Sequence, residues 1–98
     1  MVEVKRLPEF DEWFANIKDR TVRIRLARRL DKVQRGVFGD VKHLQDDVWE
    51  MREFFGAGWR LYYMKYNDVV IVMLGGGDKS TQQKDIRMAI QLAKTIEE

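Results

Sequence analysis

The chain has no cysteine, and across 98 residues it has one histidine and one proline. Without thiols there can be no disulfide, no thiolate nucleophile and no zinc–thiolate site, which fits a reducing cytoplasmic setting. The lone histidine, His43, gives a metal few imidazole ligands, and the close carboxylate pairs fall in turn-like stretches. No metal and no cofactor is expected. Long apolar runs are also missing. The longest, Val69 to Leu74, falls well short of the roughly 20 residues a membrane-crossing helix needs. The first ten residues, MVEVKRLPEF, lack the uninterrupted apolar core of a secretory signal, so no membrane role is expected. A nucleotide-binding P-loop is absent too: GGGDKS lacks the two-glycine spacing, and Asp78 puts negative charge where a phosphate would sit.

Net charge is small at +2, but its distribution is uneven. Lys18, Arg20, Arg23, Arg25, Arg28, Arg29, Lys32 and Arg35 crowd one segment, while Asp46, Asp47, Glu50 and Glu53 gather in another. A concentrated positive region suits a polyanionic partner; the plain alternative is a solvated helix face. The apolar share of 45% and the charged share of 35% describe a globular chain able to bury one modest core. Residues 1–98 therefore read as a single domain.

Periodicity supplies the elements. Val2 to Lys5 alternate as a short strand ended by Pro8. Phe10, Trp13, Phe14 and Ile17 then repeat at helical spacing. Asp19 is placed to cap a second helix, whose stripe is Val22, Leu26, Leu30 and Val33 and whose end is marked by Gly36. Strands follow over Val41 to Leu44, Val48 to Phe55, Trp59 to Tyr66 and Val69 to Leu74, with Gly75-Gly76-Gly77 ending the last. Ser80 and Gln83 fit a capping box opening a final helix that carries Ile86, Ala89, Ile90 and Ala93. The fold class is α+β: an N-terminal helical hairpin packed on a small, mostly antiparallel twisted sheet, with a C-terminal helix.

Alternation along the middle strands sorts their side chains. Trp49, Met51, Trp59, Leu61 and Tyr63 share one face; Glu50, Arg52, Arg60, Tyr62 and Met64 share the other. If the first set covers a core, Arg52 and Arg60 stand as neighbours on the opposite, open surface. Lys79 arrives beside them from the glycine-rich loop. Guanidinium groups offer fixed paired donors to phosphate oxygens, so the pattern points to an RNA backbone. Tyr62, on that face, could stack an unpaired base. Arg28 and Arg35 fall away from the apolar stripe of the second helix and rank as secondary RNA contacts.

GAGWRLYY, the apolar strand after it, LGGGDKSTQQKDI, RLARRLDKVQRGVFGDVKHL and WEMR, in order over nearly the whole chain, resemble the RelE/ParE superfamily of toxin–antitoxin systems. The similarity is greatest to its phage-derived addiction-module killer branch, called HigB-like. The resemblance implies a small toxin with a basic concave sheet that cuts messenger RNA on the ribosome. Ribose 2′-hydroxyl would attack the scissile phosphate, with added charge stabilised by positioned cations. It also implies a cognate antitoxin with a helix-turn-helix domain, with which a heterotetramer could assemble. By position, Arg52, Arg60 and Lys79 match the family's cations. Lys42 and His43 resemble its basic pair, leaving His43 or Glu50 to carry a proton and Lys42 and Lys84 to touch RNA. Where several members place a tyrosine or histidine near the final segment, this chain has Gln82, Gln83, Lys84 and Asp85. The same frame accommodates two other readings: a ParE-like gyrase inhibitor that acts by binding, and an inactive remnant that binds only its antitoxin.

Overall fold

A computed structural model of the chain describes residues 1–96. The elements run β1 (Glu3–Arg6), α1 (Pro8–Ala15), α2 (Arg20–Gln34), β2 (Val41–Gln45), β3 (Val48–Arg52), β4 (Arg60–Lys65), β5 (Val70–Gly77), a short 3₁₀ turn (Lys79–Thr81) and α3 (Gln82–Lys94). The five strands form one sheet in the order β1-β5-β4-β3-β2. From β2 to β5 the strands are antiparallel, while β1 pairs parallel to β5. The sheet is therefore mixed, and the helical pair is not the first element: a strand precedes it. A parallel edge partner requires a long crossover, and here nearly the whole chain between β1 and β5 provides it.

Local chemistry accounts for most element ends. Pro8 opens α1, where a missing N–H costs nothing, and Glu9 and Asp11 sit in its first turn. The Asp19 carboxylate accepts from the N–H groups of Thr21 at 2.9 Å and Val22 at 3.4 Å, capping α2 as expected. At the other end of α2, Gly36 takes φ +88°. Its N–H donates to the Val33 carbonyl, and that of Val37 donates to the Lys32 carbonyl. This doubly bonded reversal is one that glycine favours.

α1 and α2 lie on one face of the sheet. Their Phe10, Ile17, Val22, Leu26, Leu30 and Val33 pack with Met51, Leu61, Tyr63, Ile71 and Met73 into the larger core. α3 covers the opposite face, where Ala89 meets Val48, Tyr62, Met64 and Leu74. The arginine side of the sheet is thus not an open surface: a helix lies across it. Cover on both sides also explains the continuous apolar run of β5.

Two expectations about the glycine loop are corrected. Gly75, Gly76 and Gly77 do not end the last strand; they belong to β5 and pair with Tyr62, Leu61 and Arg60. What the glycines supply is close approach. A Cβ on Gly76 would sit 2.4 Å from the Trp13 ring, and one on Gly77 would sit 1.9 Å from an Asp85 carboxylate oxygen. Helices on both faces thus reach the bare backbone of one strand. Nor does Ser80 form a capping box with Gln83. Asp78 instead accepts from the Ser80 N–H at 2.8 Å, and α3 starts at Gln82 after the tight turn.

Candidate nucleic-acid interface

Pairing of β3 with β4 sets Arg52 directly opposite Arg60, and pairing of β4 with β5 sets Gly77 opposite Arg60. Two residues beyond Gly77, Lys79 docks on the β3–β4 loop, its N–H donating to the Ala57 carbonyl at 3.3 Å. Gly56 and Gly58 turn that loop with φ of +57° and +78°, a conformation that suits glycine. A Cβ on Gly58 would meet the Lys79 Cβ at 3.4 Å and Arg60 Nη1 at 3.7 Å. Arg52, Arg60 and Lys79 therefore gather at one end of the sheet, on the face that α3 covers.

They do not gather as equals. Arg60 is only 6% exposed, and its Nε lies 3.7 Å from the carboxylate of Glu50, itself 1% exposed. Among the described residues that Nε has no hydrogen-bond partner, while Nη1 donates to the Trp59 carbonyl at 3.2 Å. Glu50 also accepts from the side-chain amide of Gln82 at 3.3 Å, so the first turn of α3 closes over the pair. Arg52 remains about a third exposed and bonds Asp40 at 3.0 Å. Lys79 is exposed. With Lys84 and Arg87 it lines a depression of about 510 Å³ over the start of α3.

Other sequence candidates fall on either side of this cluster. Lys42 pairs with Glu50 across β2 and β3, so it stands on the same face, exposed at the sheet edge. Tyr62 is also on this face, but it is wholly buried and open to no RNA base, contrary to the expectation from alternation. Burial drives its phenol well above the usual range, and Glu50 and Asp85 push in the same direction while Arg60 opposes them. Among the described residues its hydroxyl has no hydrogen-bond partner. On the other face, burial pushes Tyr63 up to about 12, with Arg29 pulling the opposite way.

His43 does not join the group. It pairs with Trp49, whose ring stacks on Tyr63 in the larger core, so the imidazole belongs to the opposite face. There its Nε2 lies 2.6 Å from the Asp46 carbonyl and its ring 5.0 Å from that of Trp49. Arg28 on α2 and Arg35 at its C-cap are exposed, on that same far side. Arg28 lines a separate depression with Arg25, Lys32, Glu53 and Phe55.

Two residues absent from the sequence expectations matter to the site. Arg29, 8% exposed, is the clamp that holds the β3 end. It donates to the carbonyls of Phe38, Asp40 and Arg52 and, at 2.8 Å, to the Glu53 carboxylate. Its position, three after Leu26 and four before Val33, falls within the apolar stripe of α2, a sign that it faces inward. Phe54, 72% exposed, is the second. The guanidinium carbons of Arg52 and Arg60 lie 5.6 and 5.5 Å from its ring centre. The strand expected over Val48 to Phe55 stops at Arg52, so Phe54 and Phe55 fall in the following loop: Phe55 packs against the core and Phe54 points away.

Among the described residues no helix is long and apolar enough to cross a membrane. A protein of Haemophilus influenzae, named only as uncharacterized, is 37% identical over 95 residues, covering 97% of this chain and 96% of its own length. Residues 12–97 match the family described as phage-derived protein Gp49-like. That match spans most of the α+β fold, including the whole cationic end of the sheet, and the chain belongs to the Gp49-like family.

Proposed function

We propose that this chain is the toxin of a type II toxin–antitoxin module, of the HigB-like kind, and that it cuts messenger RNA on the ribosome. The observation that carries the reading is the cross-strand Arg52–Arg60 pair, with Gly77 opposite Arg60 leading to Lys79. The association of the Gp49-like family with RelE-like toxins supports it. Arg52 and Lys79 are the cations with access to solvent, and they contact the scissile phosphate; Lys42 and Lys84 follow the chain on either side. Guanidinium and ammonium groups placed there stabilise charge that grows as the 2′-hydroxyl attacks. Arg60, enclosed with Glu50, acts as a positioning residue rather than a direct contact, and Glu50 reaches no substrate while Gln82 covers it. In this reading the protein works in the cytoplasm and is silenced by a helix-turn-helix antitoxin, with which it forms a heterotetramer.

One observation favours a second reading. Arg60 and Glu50 neutralise each other beneath α3, which leaves fewer free groups than phosphoryl transfer uses. A toxin that only binds, such as a ParE-like gyrase inhibitor, needs none of them free, and neither does an antitoxin-binding remnant. Induction in bacteria, with transcript 5′ ends mapped, separates the three. RNA cutting gives in-frame ends that vanish when translation is blocked and fall roughly a hundredfold in Arg52→Ala. Growth arrest with intact transcripts and a DNA-damage response identifies the gyrase reading, and harmless expression the remnant. Arg52→Ala is the informative variant because Arg60→Ala would strand Glu50 in the interior and unsettle the fold.

A further inference from the structure

We infer that Phe54 is a stacking platform for one unpaired nucleobase, beside the phosphate that Arg52 and Lys79 hold; the inference rests on the RNA reading above. A phenyl ring 72% exposed and within about 6 Å of two guanidinium groups is not part of the packed core. It is nevertheless held in place. The Glu53 N–H donates to the Trp59 carbonyl at 2.9 Å, and that of Gly58 to the Phe55 carbonyl at 3.1 Å. Arg29 grips the Glu53 carboxylate at 2.8 Å. The loop that carries Phe54 is thus fastened on both sides of the ring.

The surrounding charges narrow the ligand. Asp40 engages Arg52, and Glu50 engages Arg60, so each arginine keeps a carboxylate and the local field is only moderately positive. A bare inorganic anion would find little there that Lys79 does not already offer. A nucleotide brings two groups at once, a phosphate for the cations and a π face for the ring, and every base has such a face. Guanidinium groups beside the ring can add cation–π attraction to a base that stacks there. Single-stranded RNA presents bases free to leave their neighbours; a duplex does not.

The test uses programmed ribosomes carrying a message whose vacant A-site codon is normal, or abasic at each of its three nucleotides in turn. Cleavage is followed with the wild type, Phe54→Leu and Phe54→Trp; leucine keeps apolar cover over the arginines but has no π face. The expected result is that Phe54→Leu slows cutting of the normal message roughly tenfold to a hundredfold. Phe54→Trp retains it. At one codon nucleotide, removing the base slows the wild type by the same factor, and Phe54→Leu adds nothing further. Equal slowing of normal and abasic messages by Phe54→Leu at every position, or no slowing at all, overturns the inference and leaves the RNA reading standing. A Phe54→Leu protein that cuts normally but fails to bind the antitoxin overturns it in favour of protein docking. A wild type that cuts no message removes the RNA reading, and this inference with it.

Discussion

The two faces of the sheet are made by the same alternating strands, yet they are finished differently. Beneath α1 and α2 the packed cluster is apolar or aromatic, from Phe10 and Leu26 to Met51 and Met73, and the buried charge at its rim, Arg29, is met by three backbone carbonyls and the Glu53 carboxylate. Beneath α3 the apolar layer of Val48, Met64, Leu74 and Ala89 covers only part of the face. The rest holds Glu50 and Arg60, both nearly enclosed. Arg29 is fully bonded, whereas Arg60 and Glu50 lie 3.7 Å apart; a face that needed only stability would have no reason to bury so loosely bonded an ion pair, because well-packed hydrocarbon of equal volume does as well or better. One face therefore carries the fold, and the other gives up part of its packing to keep charge near the Arg52 and Lys79 end.

That contrast predicts where substitutions cost most. Leu26, wholly buried among the aromatic and aliphatic side chains of the larger core, loses both transfer energy and filled volume when cut back. Leu26→Ala is expected to destabilise by about 4 kcal/mol, read as a lowered urea midpoint with an unchanged slope. A loss below about 1 kcal/mol would mean that this face is loosely packed and the contrast is misdrawn.

The α3 face gives a smaller effect of a different kind. Arg60→Met leaves the Glu50 carboxylate buried with only Gln82 as partner and should cost about 3 kcal/mol. Adding Glu50→Leu should return stability to within about 1 kcal/mol of the wild type, because the charge that lacked a partner is gone. The double-mutant cycle measures the coupling directly. If the double variant is as unstable as the single one, the pair is structural and the sacrifice argued above disappears.

Much of this contrast was legible in the sequence, and the exceptions have physical causes. Period-two alternation sorted Met51, Leu61 and Tyr63 from Glu50, Arg52 and Arg60 correctly, since a strand offers only two directions. The same parity, carried on to Val41 and His43, separates the histidine from Lys42, whereas the family resemblance groups His43 with Lys42 as a basic pair. Alternation could not say what covers the second face. The apolar side of α3 was visible, but the direction in which a helix leaves a sheet depends on the preceding loop, and the Gly75–Gly77 run looked like a terminator. Glycine serves as a strand end and as a point of close approach equally well; only the positions of Trp13 and Asp85 tell them apart. Arg29 was hidden for the opposite reason: one more cation in a basic helix looks solvated until its place in the apolar stripe is counted.

The smallest effect probes both faces together. Tyr62 and Tyr63 are adjacent on β4, point to opposite sides and are each fully buried, and among the described residues neither hydroxyl has a hydrogen-bond partner. Burial raises both phenols in the folded protein, Tyr63 to about 12, above the value of 10.0 for an unperturbed tyrosine. Their contribution to stability is therefore intact below pH 10. Above it the unfolded chain releases protons that the folded chain retains, and stability declines until the folded phenol ionises as well. For Tyr63 that window is pH 10 to about 12, with a slope of about 1.4 kcal/mol per pH unit. Tyr63→Phe should remove this slope and leave stability at pH 7 unchanged or slightly higher, since the lost hydroxyl had no partner. Tyr62→Phe should act in the same sense, and there the carboxylates of Glu50 and Asp85 oppose ionisation in addition to burial. Urea midpoints at pH 8, 10, 11 and 12 test both, and parallel curves for the wild type and Tyr63→Phe would show that the hydroxyl reaches water. Should Glu50→Gln then lower the folded pKa of Tyr62 and leave Tyr63 unmoved, the charge would be confined to the α3 face, as the different finish of the two faces requires.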